Sequence, residues 1–544
     1  MIKKIPLGVI SVREEFLYPD TKLSKLPDGL QLAMPCNGRP GVQVILETDR
    51  AFLQAHLESD SFEAEWFCMH AVPVEYNTGN GEEQGGAMVL SPALTAQPSY
   101  VTRLAPFEVF DCLEPVEDGK IYSKGDRAAM YFCLIPKKLL AAGIHTAILT
   151  MGDYICHIET KVYGAIVPEK TFSVTNWFSL EAIARFHCLE ERTDAFYEMV
   201  EKYAKLMRRM HQTMFFISLD NQCVVKRAPY EFDFTYLEPL IKCFLGAGLD
   251  TLEIGPVLSR GYLPNGNPDM HTNYFTCAMA PQVRIDTPEG YEITVRYIKA
   301  LSVFLKKHGW DKKLVFHIHD EPDIHCPAQA LEPRKKQYYL AASILRKYLP
   351  GVKVIEAVST AEFRGGIDIW VPGTAGYEQN KAAFDQLIVL GEEVWNYVCC
   401  GPEGKWLNRF LDFALLKGRL LFWGCARNRL TGFLHWGFNQ FPHGMNPFKG
   451  TSCPNDTGLG TNFPCGDSFI VYPGKGAPWP SMRLEAARRG AEDAALLKLL
   501  REKNEEAHDG LIAEVFHSNS NYNDDPQVFE RTYEKLLHLL DGAL

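Results

Sequence analysis

The chain of 544 residues is too long for a single hydrophobic core, so we expect more than one domain. Hydrophobic residues make up 46% and charged residues 23%, which is the ordinary balance of a folded globular protein. The formal net charge is −11 and no basic tract occurs, which argues against a nucleic-acid partner. No apolar run is long enough to cross a bilayer, which argues against a membrane partner.

The N-terminus and the cysteines predict the compartment. Pro6 and Gly8 interrupt the first apolar stretch and Arg13 follows soon after, so we expect no secretory signal peptide. The 15 cysteines are scattered, lie mostly in apolar runs and include no Cys-x-x-Cys motif. We therefore expect reduced thiols, a cytoplasmic location, and neither a metal site nor a cofactor.

Residues 1–170 have the pattern of an all-β domain. Short strand-forming runs are separated by turn sequences such as Pro27-Asp-Gly29. Several short strands with regular turns predict an N-terminal β-sandwich. The predicted strands include 42–46, 101–104, 130–135, 145–150 and 155–162.

From about residue 171 the sequence alternates between short apolar runs and longer helical segments. Eight such units predict a (β/α)8 TIM-like barrel over residues 171–503, with a doubly wound open sheet as the alternative. No glycine-rich phosphate loop opens any unit, which disfavours a nucleotide-binding fold. Residues 504–544 predict a C-terminal helical tail packed on the barrel. The predicted barrel strands are 171–177, 213–219, 251–255, 314–322, 352–357, 367–371, 393–398 and 432–436.

The end of the fourth strand carries the sharpest functional pattern. An apolar run ends in His319, Asp320 and Glu321, and Pro322 then stops the strand because it has no amide hydrogen. In barrels and open α/β sheets the carboxyl ends of the strands form the active site. Two adjacent carboxylates resist ionising together, which suits a catalytic acid beside an orienting carboxylate. The alternative is a helix N-terminus, where Asp, Glu and Pro are common.

The other strand ends carry aromatic, carboxylate and amide side chains without a cluster of metal ligands. Sugars present apolar C–H faces to aromatic rings and hydroxyl groups to polar partners, so this combination predicts a carbohydrate pocket. Core packing is the alternative for each tryptophan. The candidate substrate-binding residues are Trp177, Glu253, His319, Trp370, Tyr397, Trp436, Asn439 and Tyr472.

A second catalytic carboxylate is missing from the place where we expect it. A retaining glycosidase of the standard kind uses two carboxylates about 5 Å apart, one as acid and one as nucleophile. The seventh strand ends in Trp395-Asn-Tyr-Val398, and Glu393 lies at its opposite end. When the 2-acetamido group of the substrate is itself the nucleophile, an acid and an adjacent orienting carboxylate suffice, and an Asp-Glu pair supplies both.

The segment Asp320-Glu321-Pro322 resembles the catalytic Asp-Glu pair of glycoside hydrolase family 123. The segments 466–474, 480–485 and 489–493 are similar to the C-terminal region shared by that family and its uncharacterised relatives. The resemblance implies a β-sandwich joined to a (β/α)8 barrel and a retaining β-N-acetylgalactosaminidase activity by substrate assistance. It implies that Asp320 orients the acetamido group and that Glu321 is the acid/base. Secreted members carry a signal peptide, so its expected absence favours small imported glycosides as substrates.

The sequence is compatible with three functions. The first is a retaining exo-β-N-acetylhexosaminidase that prefers N-acetylgalactosamine and forms an oxazoline intermediate. The second is a barrel hydrolase of a non-acetamido sugar with Glu253 or Glu356 as its nucleophile. The third is a non-catalytic carbohydrate-binding protein of the same fold. In each case the expected partner is a small carbohydrate, and a homo-oligomer is compatible with the sequence.

Overall fold

The computed structural model of the protein describes residues 7–79, 96–170, 172–264, 266, 268–454 and 462–541. Among the described residues before 164, eleven strands occur, and they belong to one sheet. Their bounds are β1 Leu7–Ser11, β2 Ser24–Lys25, β3 Gly29–Pro35, β4 Gly41–Glu47, β5 Phe52–Glu58, β6 Phe62–Val74, β7 Phe107–Val116, β8 Lys120–Lys124, β9 Arg127–Pro136, β10 Gly143–Met151 and β11 Tyr154–Tyr163.

This N-terminal sheet is curled, and β9 joins its two halves. Strand β9 pairs antiparallel with β4, β6 and β8, so the sheet is continuous where two separate sheets were predicted. Met130 and Phe132 of β9 face the core inside the curl, whereas Tyr131 and Cys133 face the C-terminal half of the chain. The β-rich N-terminal domain is thus confirmed. The predicted sandwich is corrected to one curled sheet, because β9 is hydrogen-bonded to strands of both halves.

Four of the five predicted N-terminal strands lie within β4, β9, β10 and β11 and are confirmed. The prediction of a strand at 101–104 is wrong. This segment is irregular, and the Thr102 N–H donates to the backbone oxygen of Asp412 instead of to a neighbouring strand. The backbone of this segment is thus paired with another region of the chain, which the local amino-acid pattern does not reveal.

Short strands and longer helices alternate after residue 172. The elements are β12 Ser173–Asn176, α1 Leu180–Phe186, α2 Asp194–Arg209, β13 Met214–Ser218, β14 Val224–Arg227, β15 Tyr230–Phe232, α3 Glu238–Gly246, β16 Thr251–Gly255, β17 Leu258–Ser259, β18 Thr276–Cys277, β19 Ala280–Arg284, α4 Pro288–His308, β20 Leu314–Phe316, α5 Leu331–Tyr348, β21 Lys353–Val358, β22 Ile369–Pro372, α6 Thr374–Gln379, α7 Lys381–Val389, β23 Glu393–Val394, β24 Asn396–Tyr397, α8 Leu416–Arg427 and β25 Gly432–His435.

All eight strands predicted for this half are present among the described residues, and they pair in parallel. The fourth ends at Phe316, so the prediction that Pro322 stops it is wrong, and residue 171 of the first predicted strand lies outside the described residues. Strands β13, β16, β20, β21, β22 and β23 form one sheet in that order, and β12, β25 and β24 form another. Trp395 separates β23 from β24, and its backbone N–H donates to the backbone oxygen of Trp370. Between β12 and β13, the Thr213 N–H donates to Val174 O at 3.0 Å. The mixed α/β fold is confirmed, and closure of these strands into one barrel remains a prediction.

The helices bury an apolar side against the outer face of these strands. Helix α4 shows how the sequence sets its bounds: Thr287 caps the N-terminus by accepting from the Gly290 N–H, and Gly309 ends the helix with φ +69°. Ile293, Ile298 and Leu305 are buried in the shared core. The predicted insertion 256–286 contains β17, β18 and β19, which form a small antiparallel sheet beyond the end of β16.

The chain ends with β26 Cys453–Pro454, β27 Asn462–Phe463, α9 Met482–Lys503, α10 Glu505–Ile512, β28 Phe516–Ser518, β29 Asn521–Tyr522 and α11 Pro526–Asp541. Helix α11 packs on α9 and also on β3 and β11 of the curled sheet. Tyr163 at the end of β11 donates to Glu534 of α11 at 2.7 Å. The predicted tail therefore contacts the N-terminal sheet as well. Among the described residues, no helix has the length and apolar character needed to cross a membrane.

A group of buried ion pairs joins the N-terminal sheet, helix α9 and the helices beside it. Arg419 donates to Asp493 at 2.6 Å and to Glu14 at 3.2 Å, and Arg209 donates to Glu485 at 2.5 Å. We call this group the paired charge cluster. It consists of Glu14, Arg209, Arg419, Glu485, Arg488, Arg489, Glu492 and Asp493.

Candidate active site

A cleft of about 300 Å³ opens beyond the carboxyl ends of β13, β16 and β20. The insertion after β16 supplies one wall, and the chain beyond β20 supplies the opposite side. Asp320 is the carboxylate among its lining residues. The lining is Trp177, Phe216, Ser218, Pro256, Leu258, Ser259, Arg260, Gly261, Tyr262, Pro268, His317, His319 and Asp320.

Asp320 and Glu321 occupy a sharp turn of the backbone. Strand β20 ends at Phe316, and Glu321 adopts the left-handed conformation with φ +49°. A non-glycine residue held in this conformation is strained, and such strain is concentrated at functional sites. Arg260 fixes the turn by donating to the backbone oxygen of Glu321. The side chain of Asp320 is 52% exposed at the cleft.

The carboxyl group of Glu321 has the surroundings of a general acid. Tyr397 donates its hydroxyl to Glu321 Oε1 at 2.6 Å. Burial raises the pKa of Glu321 to about 7, the negative charge of Asp320 adds to the rise, and the bond from Tyr397 opposes it. A carboxylic acid that keeps its proton near neutral pH can give that proton to a leaving group.

Glu253 lies in the middle of β16 and is completely buried. Its Oε2 accepts from the indole N–H of Trp177 at 3.2 Å and from Thr175 at 3.5 Å. Burial raises its pKa to about 8. Glu253 is therefore a protonated group beneath the cleft that holds the Trp177 ring in position.

Glu356 lies within β21, the neighbour of β20, and is also completely buried. Its Oε1 accepts from the backbone N–H groups of Ile318 and His319 and from the hydroxyl of Tyr338. Burial raises the pKa of Glu356 well above its usual value. These bonds support the backbone where the ladder between β20 and β21 ends.

Of two further predicted site residues, His319 lines the cleft, whereas Trp436 is outside its lining. His319 is buried, with its ring 4.2 Å from the ring of Phe275, and burial lowers the pKa of His319. Trp436 follows β25 and is half-buried; its indole N–H donates to Asp467 at 3.2 Å, and its ring packs on Phe463. It stands at the same end of the strands as Trp177.

Three predicted site residues lie elsewhere, which corrects their assignment. Trp370 faces the layer between strands and helices, where its indole N–H donates to Glu392. Asn439 is completely buried, and its amide accepts from the Ser179 N–H and donates to the Ser179 backbone oxygen. Tyr472 is buried against the N-terminal sheet and donates to Asp111 at 2.7 Å. Position at or after a strand end does not fix the direction of a side chain.

Sequence reasoning missed His317, Arg260 and Phe216 as site residues. His317 shares the inward face of its strand with Val315, since residues two apart point the same way, so alternation alone could have found it. Gly255 makes room for it, because a Cβ atom there would lie 2.0 Å from the His317 oxygen. Arg260 lies in an aperiodic insertion, where no sequence signal points to a site.

Comparisons with known proteins identify the family and the fold. A sequence model described as glycoside hydrolase 123, catalytic domain, matches residues 177–500, more than half of the chain. No curated protein matches the sequence. A solved family 123 glycoside hydrolase from Clostridium perfringens, described in connection with glycolipid glycan hydrolysis, has 13% identity and a TM-score of 0.73 over 99% of both chains. That likeness shows a shared fold.

Two other solved structures are weaker matches. A family 39 glycoside hydrolase from Bacteroides cellulosilyticus WH2 has 11% identity and a TM-score of 0.36, covering 86% of this chain and 82% of its own. A β-galactosidase from the psychrophilic Marinomonas ef1 has 10% identity and a TM-score of 0.40, covering 63% and 62%. These low scores support no inference about the site. The match of the family 123 model over residues 177–500 shows that the chain belongs to glycoside hydrolase family 123.

Proposed function

We propose that the protein is a retaining exo-glycoside hydrolase that removes terminal β-linked N-acetylhexosamine, with N-acetylgalactosamine preferred, through an oxazoline intermediate. One observation carries the proposal: Asp320 reaches the cleft beside Glu321, whose pKa burial raises to about 7, while Glu253 and Glu356 are completely buried. A buried, hydrogen-bonded carboxylic acid cannot approach an anomeric carbon. The burial of these two glutamates therefore disfavours the mechanism with a second carboxylate as nucleophile.

In the first step the acetamido group of the substrate attacks. Asp320 accepts a hydrogen bond from the acetamide N–H, which turns the carbonyl oxygen toward the anomeric carbon and stabilises the positive charge of the forming oxazolinium ion. Glu321 gives its proton to the glycosidic oxygen as the bond from the anomeric carbon to that oxygen breaks. The carbonyl oxygen and the anomeric carbon form the new bond.

In the second step water opens the oxazolinium ring formed in the first step. Glu321, now ionised, takes a proton from a water molecule that attacks the anomeric carbon, and the bond to the acetamide oxygen breaks. Two displacements retain the configuration. Trp177 and Phe216 offer ring faces to the sugar, and Arg260 and Ser259 offer polar groups to its hydroxyls.

The chain architecture fits this role. We propose that residues 171–503 form a (β/α)8 catalytic barrel and that residues 1–170 are the β-rich domain. Residues 504–544 are then a C-terminal tail that packs on both domains. The proposed partner is a small carbohydrate. The glycolipid glycan hydrolysis named for the Clostridium perfringens enzyme supports a glycan as the source of that sugar.

The test compares matched nitrophenyl β-glycosides of N-acetylgalactosamine, N-acetylglucosamine, galactose and glucose. We expect turnover of the 2-acetamido sugars, inhibition by the thiazoline analogue, and no covalent enzyme adduct with a 2-fluoro sugar. Asp320→Asn keeps the size of the side chain but removes its charge, and we expect a loss on the order of 10²–10³ in rate on the acetamido sugars. Preference for a 2-hydroxy sugar, or an unaffected Asp320→Asn rate, would refute the substrate-assisted mechanism.

A further inference from the structure

His317 stands between three carboxyl groups, one from each neighbouring strand and one from its own loop. Its Nδ1 lies 3.3 Å from Glu356 Oε2 and 3.9 Å from Glu253 Oε1. Its Nε2 lies 3.9 Å from Asp320 Oδ1. The two glutamates are completely buried and the histidine side chain is 3% exposed, whereas Asp320 is open to the cleft.

Within the described part of the chain, four polar atoms of this group make no hydrogen bond: both ring nitrogens of His317, Oε1 of Glu253 and Oε2 of Glu356. A buried polar atom without a partner is costly, and native structures hold few of them. Here two of the four are the nitrogens of one imidazole, and the other two belong to the carboxyl groups beside it. The free-energy cost of these unpaired atoms is therefore concentrated directly beneath Asp320, which points to a functional role for the group.

The hydrogen bonds around the group fix where its protons lie. Oε1 of Glu356 already accepts from three donors, so the acid proton of Glu356 belongs on Oε2, which faces Nδ1. A ring that accepts at Nδ1 carries its own hydrogen on Nε2, and Nε2 faces Asp320. If the proton instead moves from Glu356 to Nδ1, Nε2 still carries a hydrogen. Either way a donor points from beneath the cleft at the carboxylate.

We propose that His317 is a positioning residue for the proposed reaction: its Nε2–H donates to Asp320 and holds the carboxylate turned toward the acetamide, and Glu356 fixes the imidazole in that tautomer. The 3.9 Å separation closes when the exposed Asp320 side chain engages substrate, since catalytic hydrogen bonds in unliganded enzymes are often long. The inference rests on the proposed function, because Asp320 is its point of action.

The electrostatic surroundings agree with a neutral donor. Burial lowers the pKa of His317, while the charge of Asp320 and the carbonyl of Ile355 oppose that change. The groups that face the ring are Glu253 on β16, Glu356 on β21, Asp320 on its own loop and, at their edges, the aromatic rings of Trp177 and Phe216. A neutral His317 leaves Asp320 as the charge that meets the developing oxazolinium ion.

The test uses His317→Leu, which removes the donor, and His317→Gln, whose amide N–H reaches the place of Nε2. We expect His317→Leu to lower kcat about 10- to 100-fold on nitrophenyl N-acetylhexosaminides, the size of a lost hydrogen bond to a charged group, with KM little changed. We expect the acid limb of its pH–rate profile to move to higher pH, because ionised Asp320 has lost a donor. His317→Gln should recover about tenfold of kcat, and His187→Gln, a substitution far from the cleft, should match the parent.

A double-mutant cycle with Asp320→Asn separates positioning from general loss of structure. If His317 acts through Asp320, His317→Leu should cost little further rate in the Asp320→Asn background. Additive losses, or a folded His317→Leu enzyme with parental kcat and an unmoved acid limb, would overturn the inference. A purely structural role would lower the melting temperature without moving the pH profile.

The ¹⁵N spectrum of histidine in the parent protein gives a test that needs no turnover or stable Leu variant. The His317 signals are assigned by their loss in His317→Gln, and we expect a hydrogen on Nε2. A ring protonated on Nδ1 alone would refute the inference even in an active enzyme. Absence of turnover on every 2-acetamido glycoside would instead refute the proposed function, so the two failures are distinguishable.

Discussion

The molecule buries two groups of charged residues and treats them in opposite ways. In the paired charge cluster, each carboxylate meets an arginine: burial alone would raise the pKa of Glu485, but Arg209 and Arg488 outweigh it and hold the pKa well below its usual range. Beneath the cleft, Glu253 has no arginine or lysine partner among the described residues and lies beside the neutral imidazole of His317, and burial raises the pKa of Glu253 to about 8. Buried carboxyls with cationic partners join parts of the fold, whereas carboxyls without them keep protons for chemistry.

The largest effect should come from removing the acid at the cleft. Glu321→Gln keeps the shape but has no proton to give, so we expect a loss of about 10²–10⁴-fold on glycosides with basic leaving groups and a much smaller loss on activated aryl glycosides. Steady-state rates on the two classes of leaving group measure this difference. Equal losses on both would show that Glu321 is not the acid.

The next effect should come from breaking the paired charge cluster. Arg419→Met leaves Asp493 and Glu14 buried without their shared partner, and removal of one member of a buried pair costs about 3–5 kcal/mol of unfolding free energy. Urea denaturation measures it. The control is Arg296→Met in an exposed pair with Glu292, where we expect less than about 0.5 kcal/mol. Similar small changes for both variants would contradict a joining role for the cluster.

The two groups should also differ in their dependence on pH. The folded-state pKa of Glu253 is raised to about 8, so its contribution to stability is complete below its unfolded pKa of about 4.3 and is lost as pH rises to 8. Glu253→Gln imitates the protonated acid at every pH. We therefore expect it to match the parent near pH 4 and to be more stable than the parent at pH 8 to 9 in urea denaturation.

Glu492 is the opposite case and serves as the comparison. Although burial opposes the change, Arg488 and His211 lower its pKa to about 2, so its contribution is complete above its unfolded pKa and is lost as pH falls toward 2. Glu492→Gln should thus lose stability relative to the parent at neutral pH and approach it near pH 2. If the stability of Glu253→Gln and Glu492→Gln relative to the parent changed with pH in the same direction, the two groups of buried carboxyls would not differ as described.

The smallest effect should come from Trp436 at the edge of the site. Loss of a ring that stacks on a sugar is expected to cost about 0.5–1.5 kcal/mol of binding, a rise of about two- to tenfold in KM. Trp436→Ala should have a nearly unchanged melting temperature, since the side chain is half-buried. A large fall in melting temperature with an unchanged KM would place Trp436 in the core.

The sequence predicted the parallel strands well because their apolar runs are short, and several of them, such as those of β16 and β22, are bounded by glycine or proline. Asp320 and Glu321 were found for the same reason, since polar groups follow an apolar strand abruptly. The sequence did not show which way Trp370 faces, because a strand buried on both sides has apolar residues throughout. Nor could it show Arg260 at the cleft, since loop conformation depends on long-range contacts such as its bond to Glu321.

The left-handed backbone at Glu321 determines which replacement would remove its side chain with the least disturbance. Glycine adopts a φ of +49° freely, whereas alanine in this conformation costs roughly 1–2 kcal/mol. Glu321→Gly would therefore relax the turn while it opens a space beside the hydroxyl of Tyr397. A small soluble acid such as formate has the size and chemistry of the missing carboxyl group, so this turn is suited to chemical rescue, in which proton transfer is supplied from solution.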